Sequence, residues 1–154
     1  MEYLAELIKY IHIDSYGKLY RNLTIDYDNG RDTAIDLMRQ YKFVIAFENA
    51  LAPDYVTEKF YNPLYANSVP IYLGAQNIEE FSPFKNCYLD VRSYNSPKAL
   101  AEAIKFYSSS ESNWMNFFKG RFSLTSKFQE KLNGIAINPF VRLCHKIDQL
   151  LRSR

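Results

Sequence analysis

The chain has 154 residues, of which 47% are hydrophobic, 16% aromatic and 23% charged, and this composition is typical of a soluble globular domain. Its length corresponds to a single domain that can bury a sizeable core. The net charge is only +2, which argues against a nucleic-acid partner, because such a partner requires a concentrated basic patch.

The first forty residues are predicted to form two helices, one strand and a long loop. The opening MEYLAELIKYI has apolar residues at helical spacing, interrupted by Glu2 and Glu6. It therefore indicates a short amphipathic helix over residues 3–10, and neither a signal peptide nor a membrane span. The elements predicted next are a strand over Ile11–Asp14, a loop rich in Gly, Asn and Asp over 15–30, and a second helix over Asp32–Gln40.

A nearly continuous apolar run follows at Tyr41–Phe47 (YKFVIAF). Its β-branched and aromatic residues predict a strand that is buried on both faces of a parallel sheet. Glu48 and Asn49 come directly after it. Because open α/β sheets bind ligands outside the carboxyl ends of their strands, both side chains are candidates for ligand contact.

The segment after a loop at 52–55 is predicted to begin a helix that runs from Thr57 to about residue 67, with Thr57 as its cap. A helix amino terminus has unpaired N–H groups and a partial positive charge, so Lys59 in the first turn predicts a diphosphate site. Tyr55 can stack on a base, and Glu58 can accept hydrogen bonds from ribose hydroxyls or base N–H groups. The alternatives are that the TEK triplet is simply a good helix start and that Tyr55 packs in the core.

The remainder of the chain is predicted to alternate between strands and helices. The predicted elements are a strand at Pro70–Leu73, a short helix at Asn77–Phe81, a strand at Cys87–Val91, a helix at Pro97–Tyr107 and a polar loop at 108–113. This alternation predicts an α/β fold, with a Rossmann-like parallel sheet and helices on both faces.

An apolar stripe in the last segment predicts a closing helix over residues 139–152. It would pack on its own domain or cross to another domain, and a membrane-surface helix is the alternative. The stripe consists of Phe140, Leu143, Cys144, Ile147, Leu150 and Leu151.

The cysteine and histidine residues do not predict a disulfide framework or a metal site. Cys87 and Cys144 are expected to be two buried free thiols. His12 and His145 lack the spacing of metal ligands, so we predict no metal.

Residues 41–91 resemble the donor-binding half of the α1,3-fucosyltransferases, glycosyltransferase family 10. The shared pattern is YKF-x-x-x-FEN, a short loop, Y-x-TEK and then VP-x-x-LG. YIHIDSYGK at 10–18 is similar to the family's strand and YGK turn, and YLDVRSYNSPKALAEAIKFY follows its strand-then-helix pattern. The resemblance covers roughly residues 1–122.

This resemblance implies the carboxyl-terminal half of a GT-B-type glycosyltransferase, in which Asn49, Tyr55, Glu58 and Lys59 hold GDP-fucose. Tyr55 would lie near the guanine, Glu58 at the ribose and Lys59 on the diphosphate. Glu48 and Lys18 are further candidates. GDP-fucose is the expected donor substrate, and neither a cofactor nor a metal is implied.

The implied reaction is an inverting transfer of L-fucose from GDP-β-L-fucose to a glycan hydroxyl. The family's amino-terminal domain binds the acceptor and carries the carboxylate base, and a phosphate-binding arginine precedes the matching region. We find neither in this sequence, so we expect a donor-binding fragment and name no catalytic residue. Pro63 departs from the family pattern and predicts a helix kink near Tyr61.

Two other functions stay open, a nucleotide-sugar binding module without transferase activity of its own and an interaction domain whose pocket has degenerated. The family implies a cytoplasmic or peripheral membrane location for a bacterial protein and the Golgi for a eukaryotic one.

Overall fold

The computed structural model describes residues 2–136 and residue 141, and its centre is a parallel sheet with the strand order β1–β2–β3. The strands are β1 (Phe43–Phe47), β2 (Val69–Leu73) and β3 (Leu89–Asp90). The α-helices in the described residues are α1 (Glu2–Leu7), α2 (Arg31–Met38), α3 (Glu58–Tyr65), α4 (Pro97–Ser108), α5 (Glu111–Met115) and α6 (Ser126–Ala136). Short 3₁₀ turns lie at Ile78–Glu80, Val91–Ser93 and Asn116–Phe118.

Both faces of the sheet are covered by helices. Successive residues of a strand point to opposite faces, and Phe47 of β1 contacts Tyr3 of α1 with ring centroids 6.3 Å apart. The preceding residue of β1 pairs with Tyr72 of β2, whose ring contacts Phe60 of α3 at 5.1 Å. The predicted α/β fold with a Rossmann-like parallel sheet is therefore confirmed.

One cluster of buried side chains joins the sheet to α1, α3 and α4. Removal of this apolar surface from water is the main favourable contribution to folding. The helix α4 begins where the sequence predicts, because the Ser96 hydroxyl accepts the Ala99 N–H at 3.1 Å and Pro97 occupies the first turn. The cluster includes Leu7, Ala46, Phe60, Val69, Ile71, Leu100, Ala101 and Ile104.

Helix α3 connects β1 to β2 and is capped as predicted. The Thr57 hydroxyl accepts a backbone N–H of the first turn at 3.3 Å. The helix continues past the buried Pro63 to Tyr65. It ends before the predicted residue 67, because Asn67 has a left-handed φ of 59°. The kink near Tyr61 stays a prediction.

The predicted strand at Ile11–Asp14 is wrong. A carbonyl of this segment and the N–H of the residue that follows it are bonded to a loop side chain instead. The Asn22 amide donates to the Ile13 carbonyl at 2.8 Å, and its oxygen accepts the Ser15 N–H at 2.7 Å. The segment consequently lies beside the loop at 15–30 and not in the sheet.

Strand β1 is therefore an edge strand, and the prediction that it is buried on both faces is also wrong. Of its residues only Ala46 is fully buried, and the others are partly exposed. The strand begins at Phe43, two residues after the predicted start. An apolar run does not by itself show whether a strand lies at the edge of a sheet or at its centre.

The segment 108–113 is not simply a loop as predicted, because helix α5 begins within it. The Ser110 hydroxyl accepts the Asn113 N–H at 3.1 Å and caps this helix. The helix carries Trp114, whose indole N–H donates to the carbonyl of Lys42 at 3.0 Å. This hydrogen bond attaches α5 to the residue that precedes β1.

Two further elements are shorter than predicted. The helix predicted at Asn77–Phe81 is a single 3₁₀ turn, and the strand predicted at Cys87–Val91 has two residues. Cys87 is buried and free, as expected, whereas Cys144 lies outside the described residues. The predicted closing helix at 139–152 also lies outside them, apart from residue 141, which is helical.

Candidate functional site

The candidate site lies where β1 ends and α3 begins. Lys59 in the first turn of α3 directs its ammonium group to the end of the strand. The Lys59 Nζ donates to the Phe47 carbonyl at 3.2 Å and to the Asn49 Oδ1 at 2.7 Å. The structure thus brings two predicted site residues into direct contact at the carboxyl edge of the sheet, where α/β proteins bind ligands.

Glu48 connects the strand to the helix and does not point freely into the site. Its backbone N–H donates to the Leu73 carbonyl at 2.8 Å and extends the β1–β2 ladder by one bond. Its carboxylate accepts the Thr57 N–H and the Thr57 hydroxyl, both at 2.8 Å. Both oxygens are therefore engaged, and Glu48 holds the start of the helix.

These contacts alter the diphosphate site that the sequence predicts. The Thr57 N–H is taken by Glu48, and the Lys59 N–H by the Thr57 hydroxyl. A carboxylate also lies at the positive end of the helix dipole, where it is stabilised. An anion at this position would consequently be attracted mainly by the Lys59 ammonium, and less by the helix terminus than the sequence suggests.

The end of β2 packs closely against Glu48. A Cβ atom at Gly74 would lie 2.6 Å from the Glu48 Cγ and would also clash with the Tyr72 hydroxyl. That hydroxyl accepts the Ala75 N–H at 2.9 Å, and burial raises the pKa of Tyr72. Gly74 is thus required for the close approach of β1, β2 and α3 at this edge.

Tyr55 and Glu58 are exposed beside this edge. Tyr55 keeps 38% of its surface exposed and lies outside the buried core cluster, and the alternative in which it is a packing residue stays open. Glu58 is also exposed, and within residues 2–136 its side chain makes no hydrogen bond or ion pair. Lys18 lies exposed in the loop at 15–30, and within the same residues no hydrogen bond or ion pair connects it to Lys59.

The loop that carries Tyr55 is attached to a turn that the sequence analysis did not associate with the site. Asn77 bonds to both the backbone and the side chain of Asp54, at 3.0 and 2.8 Å. The sequence identifies Asn77 only as the start of a helical turn. No local pattern connects it to a residue 23 positions earlier.

Arg92 is a second cation at the carboxyl edge that the sequence analysis missed. Its guanidinium pairs with Asp90 at 2.8 Å and donates to the Ala75 carbonyl at 3.1 Å. Its charge is therefore balanced within the protein. The arrangement fixes the turn that follows β2.

Other surface features do not coincide with the candidate site. Clefts of about 350 and 230 Å³ lie beside α6 and α2, and none of the predicted donor residues lines them. Within residues 2–136, no group of three His, Cys, Asp or Glu side chains has the geometry to hold a metal ion. The helices in this range are all too short or too polar to span a bilayer.

Solved structures with a similar fold are α1,3-fucosyltransferases. A crystal structure of α1,3-fucosyltransferase with GDP superposes with a TM-score of 0.63, and one with GDP-fucose superposes with a TM-score of 0.62. Both are 22% identical to this chain and match 76% of it and 33% of their own chains. The chain thus has the Rossmann-like fold of a GT-B glycosyltransferase.

Sequence comparisons then show the family. The model of glycosyltransferase family 10 (fucosyltransferase), carboxyl-terminal part, matches residues 1–154. GDP-fucose protein O-fucosyltransferase 3 of Xenopus tropicalis is 37% identical over 123 residues, which are 76% of this chain and 26% of that protein. Alpha-(1,3)-fucosyltransferase B of Drosophila melanogaster is 39% identical over 109 residues, 66% of this chain and 24% of that protein. The chain belongs to glycosyltransferase family 10, and it spans about a quarter of the length of these curated relatives.

Proposed function

We propose that this chain is the donor-binding domain of an inverting fucosyltransferase that uses GDP-β-L-fucose. The observation that carries the proposal is the Lys59 ammonium, held by the Phe47 carbonyl and by Asn49 at the carboxyl edge of the sheet. An ammonium has three protons to donate, and these two acceptors leave one for a phosphate oxygen. Membership of a fucosyltransferase family supports this donor.

Each predicted donor residue has a role that its surroundings permit. Lys59 binds the diphosphate, and Asn49 holds the Lys59 side chain in position. The ring of Tyr55 is exposed and stacks on the guanine. The exposed carboxylate of Glu58 accepts hydrogen bonds from the ribose hydroxyls.

The reaction is a single displacement at the anomeric carbon of fucose. The acceptor hydroxyl oxygen forms the new bond to this carbon, while the bond from the carbon to the diphosphate oxygen breaks and the hydroxyl proton passes to a general base. GDP leaves with the bonding electrons. Lys59 stabilises the charge that develops on it, an effect typically worth about 3 kcal/mol for one well-placed donor.

We assign the general base to the acceptor-binding part of the full-length enzyme and not to this chain. Glu48 directly precedes the proposed donor residue Asn49, but both of its oxygens accept hydrogen bonds from Thr57. Both oxygens thus hold the start of α3. This supports a structural role for Glu48.

We propose that the acceptor is a glycan hydroxyl, to which fucose is transferred in α1,3 linkage. A protein hydroxyl is the second candidate acceptor. The relatives support both classes, since one is named an alpha-(1,3)-fucosyltransferase and another a protein O-fucosyltransferase. A transfer assay with the full-length enzyme, glycan and peptide acceptors, and labelled GDP-fucose distinguishes them. Labelled peptide without labelled glycan would overturn the α1,3 assignment.

The donor proposal itself is tested by calorimetry on the 154-residue chain. We expect GDP to bind and UDP to bind more weakly, because the site is proposed to recognise guanine. Absence of GDP binding would contradict the proposal. GDP binding with no transfer by this chain alone is expected both of a donor-binding domain and of a nucleotide-sugar binding module, and the transfer assay with the full-length enzyme separates these two functions.

A further inference from the structure

The loop that carries Tyr55 contains a turn that is held both within the loop and from outside it. Asp54, in the middle of the loop, has a left-handed φ of 61°. Asp adopts this conformation more readily than most L-residues, because its short polar side chain can hydrogen-bond locally. Within the loop, the Tyr55 N–H donates to the Ala52 carbonyl at 3.3 Å. The loop residues Leu51–Tyr55 are all exposed, so contacts from outside the loop attach this turn to the domain.

Asn77 supplies such contacts with both ends of its amide group. Its Oδ1 accepts the Asp54 backbone N–H at 3.0 Å, and its Nδ2 donates to the Asp54 Oδ1 at 2.8 Å. One bond holds the peptide that precedes the left-handed residue, and the other holds its side chain together with the Lys131 ammonium, which lies 3.9 Å from the same carboxylate oxygen. The next residue of the chain is Tyr55, so the Asn77 bonds contribute to the position from which its side chain starts.

Asn77 is itself rigidly placed, because it precedes the 3₁₀ turn at Ile78–Glu80. Ile78 is buried in the core, and its carbonyl accepts the Ser82 hydroxyl at 3.0 Å. Lys131 of α6 covers the outside of the turn. It pairs with Glu80 at 3.1 Å and lies 4.1 Å from the ring centroid of Phe81.

We propose that Asn77 is a positioning residue for the nucleotide, which holds the Asp54 backbone so that the Tyr55 ring is oriented for stacking on the base. This inference rests on the proposed function of the donor site. When only a fraction of the molecules has the loop in the binding conformation, the apparent dissociation constant rises by the inverse of that fraction. Loss of the two Asn77 bonds lowers this fraction without touching Lys59.

The test compares binding of GDP and of inorganic diphosphate by the 154-residue chain and its variants. We expect Asn77→Ala to weaken GDP binding about five- to tenfold, as for loss of two hydrogen bonds that favour the binding conformation, one to a backbone N–H and one to a carboxylate. Diphosphate binding should stay unchanged, because this ligand does not contact Tyr55. Gln76→Ala is the matched control, since Gln76 is the exposed neighbouring amide and makes no side-chain hydrogen bond within residues 2–136.

A second pair of variants separates positioning from general damage and serves if Asn77→Ala fails to fold. Asp54→Ala should reproduce the loss of GDP affinity. Asp54→Asn should retain most of it, because asparagine tolerates a left-handed φ and its oxygen can still accept the Asn77 amide. In a Tyr55→Ala background, Asn77→Ala should have no additional effect on GDP binding.

Three results would overturn the positioning role: equal GDP affinity in Asn77→Ala and the parent, equal losses for GDP and diphosphate, or no difference between Asp54→Ala and Asp54→Asn. Absence of GDP binding by the parent chain is a different result. It would refute the donor site itself, and the positioning role with it.

Discussion

The carboxylate of Glu48 accepts two hydrogen bonds of 2.8 Å from one residue, Thr57, through its backbone N–H and its hydroxyl. The same hydroxyl accepts the Lys59 N–H, so these three hydrogen bonds together connect the end of β1 to the first turn of α3. Glu48 thereby fixes the point at which Lys59 leaves the helix. The proposed phosphate contact depends on this geometry.

Replacement of Glu48 should destabilise the protein. Glu48→Ala leaves the Thr57 N–H and hydroxyl without their acceptor, and we expect the free energy of unfolding to fall by about 1–3 kcal/mol. Urea denaturation of the variant and the parent measures this difference. Glu58→Ala is the control, because Glu58 is a glutamate of the same region and its side chain is exposed. Equal losses for the two variants would contradict the structural role of Glu48.

Removal of the Lys59 ammonium should weaken GDP binding. We expect Lys59→Ala to lose about 1–2 kcal/mol of binding free energy, as for a charge-assisted hydrogen bond. Calorimetry with GDP measures the loss, and inorganic diphosphate should show a similar one, since both ligands present the same group. Lys98→Ala, an exposed lysine on α4, is the control. Unchanged affinity in Lys59→Ala would remove Lys59 from the site.

A methyl group at Gly74 should disrupt the edge of the sheet. The added Cβ would overlap the Tyr72 hydroxyl and the Glu48 side chain, and such overpacking typically costs about 1–3 kcal/mol. Urea denaturation of Gly74→Ala should show this loss. Gly17→Ala is the matched control, because a Cβ at Gly17 has no neighbour within 4 Å. If both variants are as stable as the parent, the close approach at Gly74 is not required.

Stability should fall at alkaline pH. Burial raises the pKa of Cys87 from 9.0 to about 11 and that of Tyr61 and Tyr88 from 10.0 to about 12. The unfolded chain therefore releases these protons at lower pH than the folded chain does. The contribution of these groups to the free energy of unfolding should be constant below about pH 8 and decrease as the pH rises toward 12.

Urea midpoints across this pH range check the prediction, and Cys87→Ala is the informative variant. It removes the group that begins to titrate first, so its decrease should start at higher pH than in the parent. A flat dependence on pH in the parent would show that these groups are accessible to water in the folded chain.

The sequence predicts best those features that depend on neighbours along the chain. Thr57 is a good cap because its hydroxyl can reach the helical N–H two positions later, and α4 begins at Pro97 for a similar local reason. The contact between Asn49 and Lys59 is also consistent with the prediction that both lie at one sheet edge. The sequence identifies these two residues as site candidates, but it does not predict that their side chains are hydrogen-bonded to each other.

Features that depend on distant partners could not be predicted. Ile11–Asp14 has the composition of a strand, but Asn22 competes successfully for its backbone groups. The occupied helix terminus depends on the direction of the Glu48 carboxylate, and the loop geometry depends on Asn77. Residue type permits each of these contacts, but only the fold brings the partners within hydrogen-bonding distance.

Trp114 is the only tryptophan of the chain, and its indole N–H is bonded to the carbonyl of Lys42, immediately before β1. Its fluorescence emission therefore reports on a single contact, the one between α5 and the amino end of β1. Since the donor residues lie at the opposite end of that strand, this emission follows local opening of the α5 contact independently of the donor site.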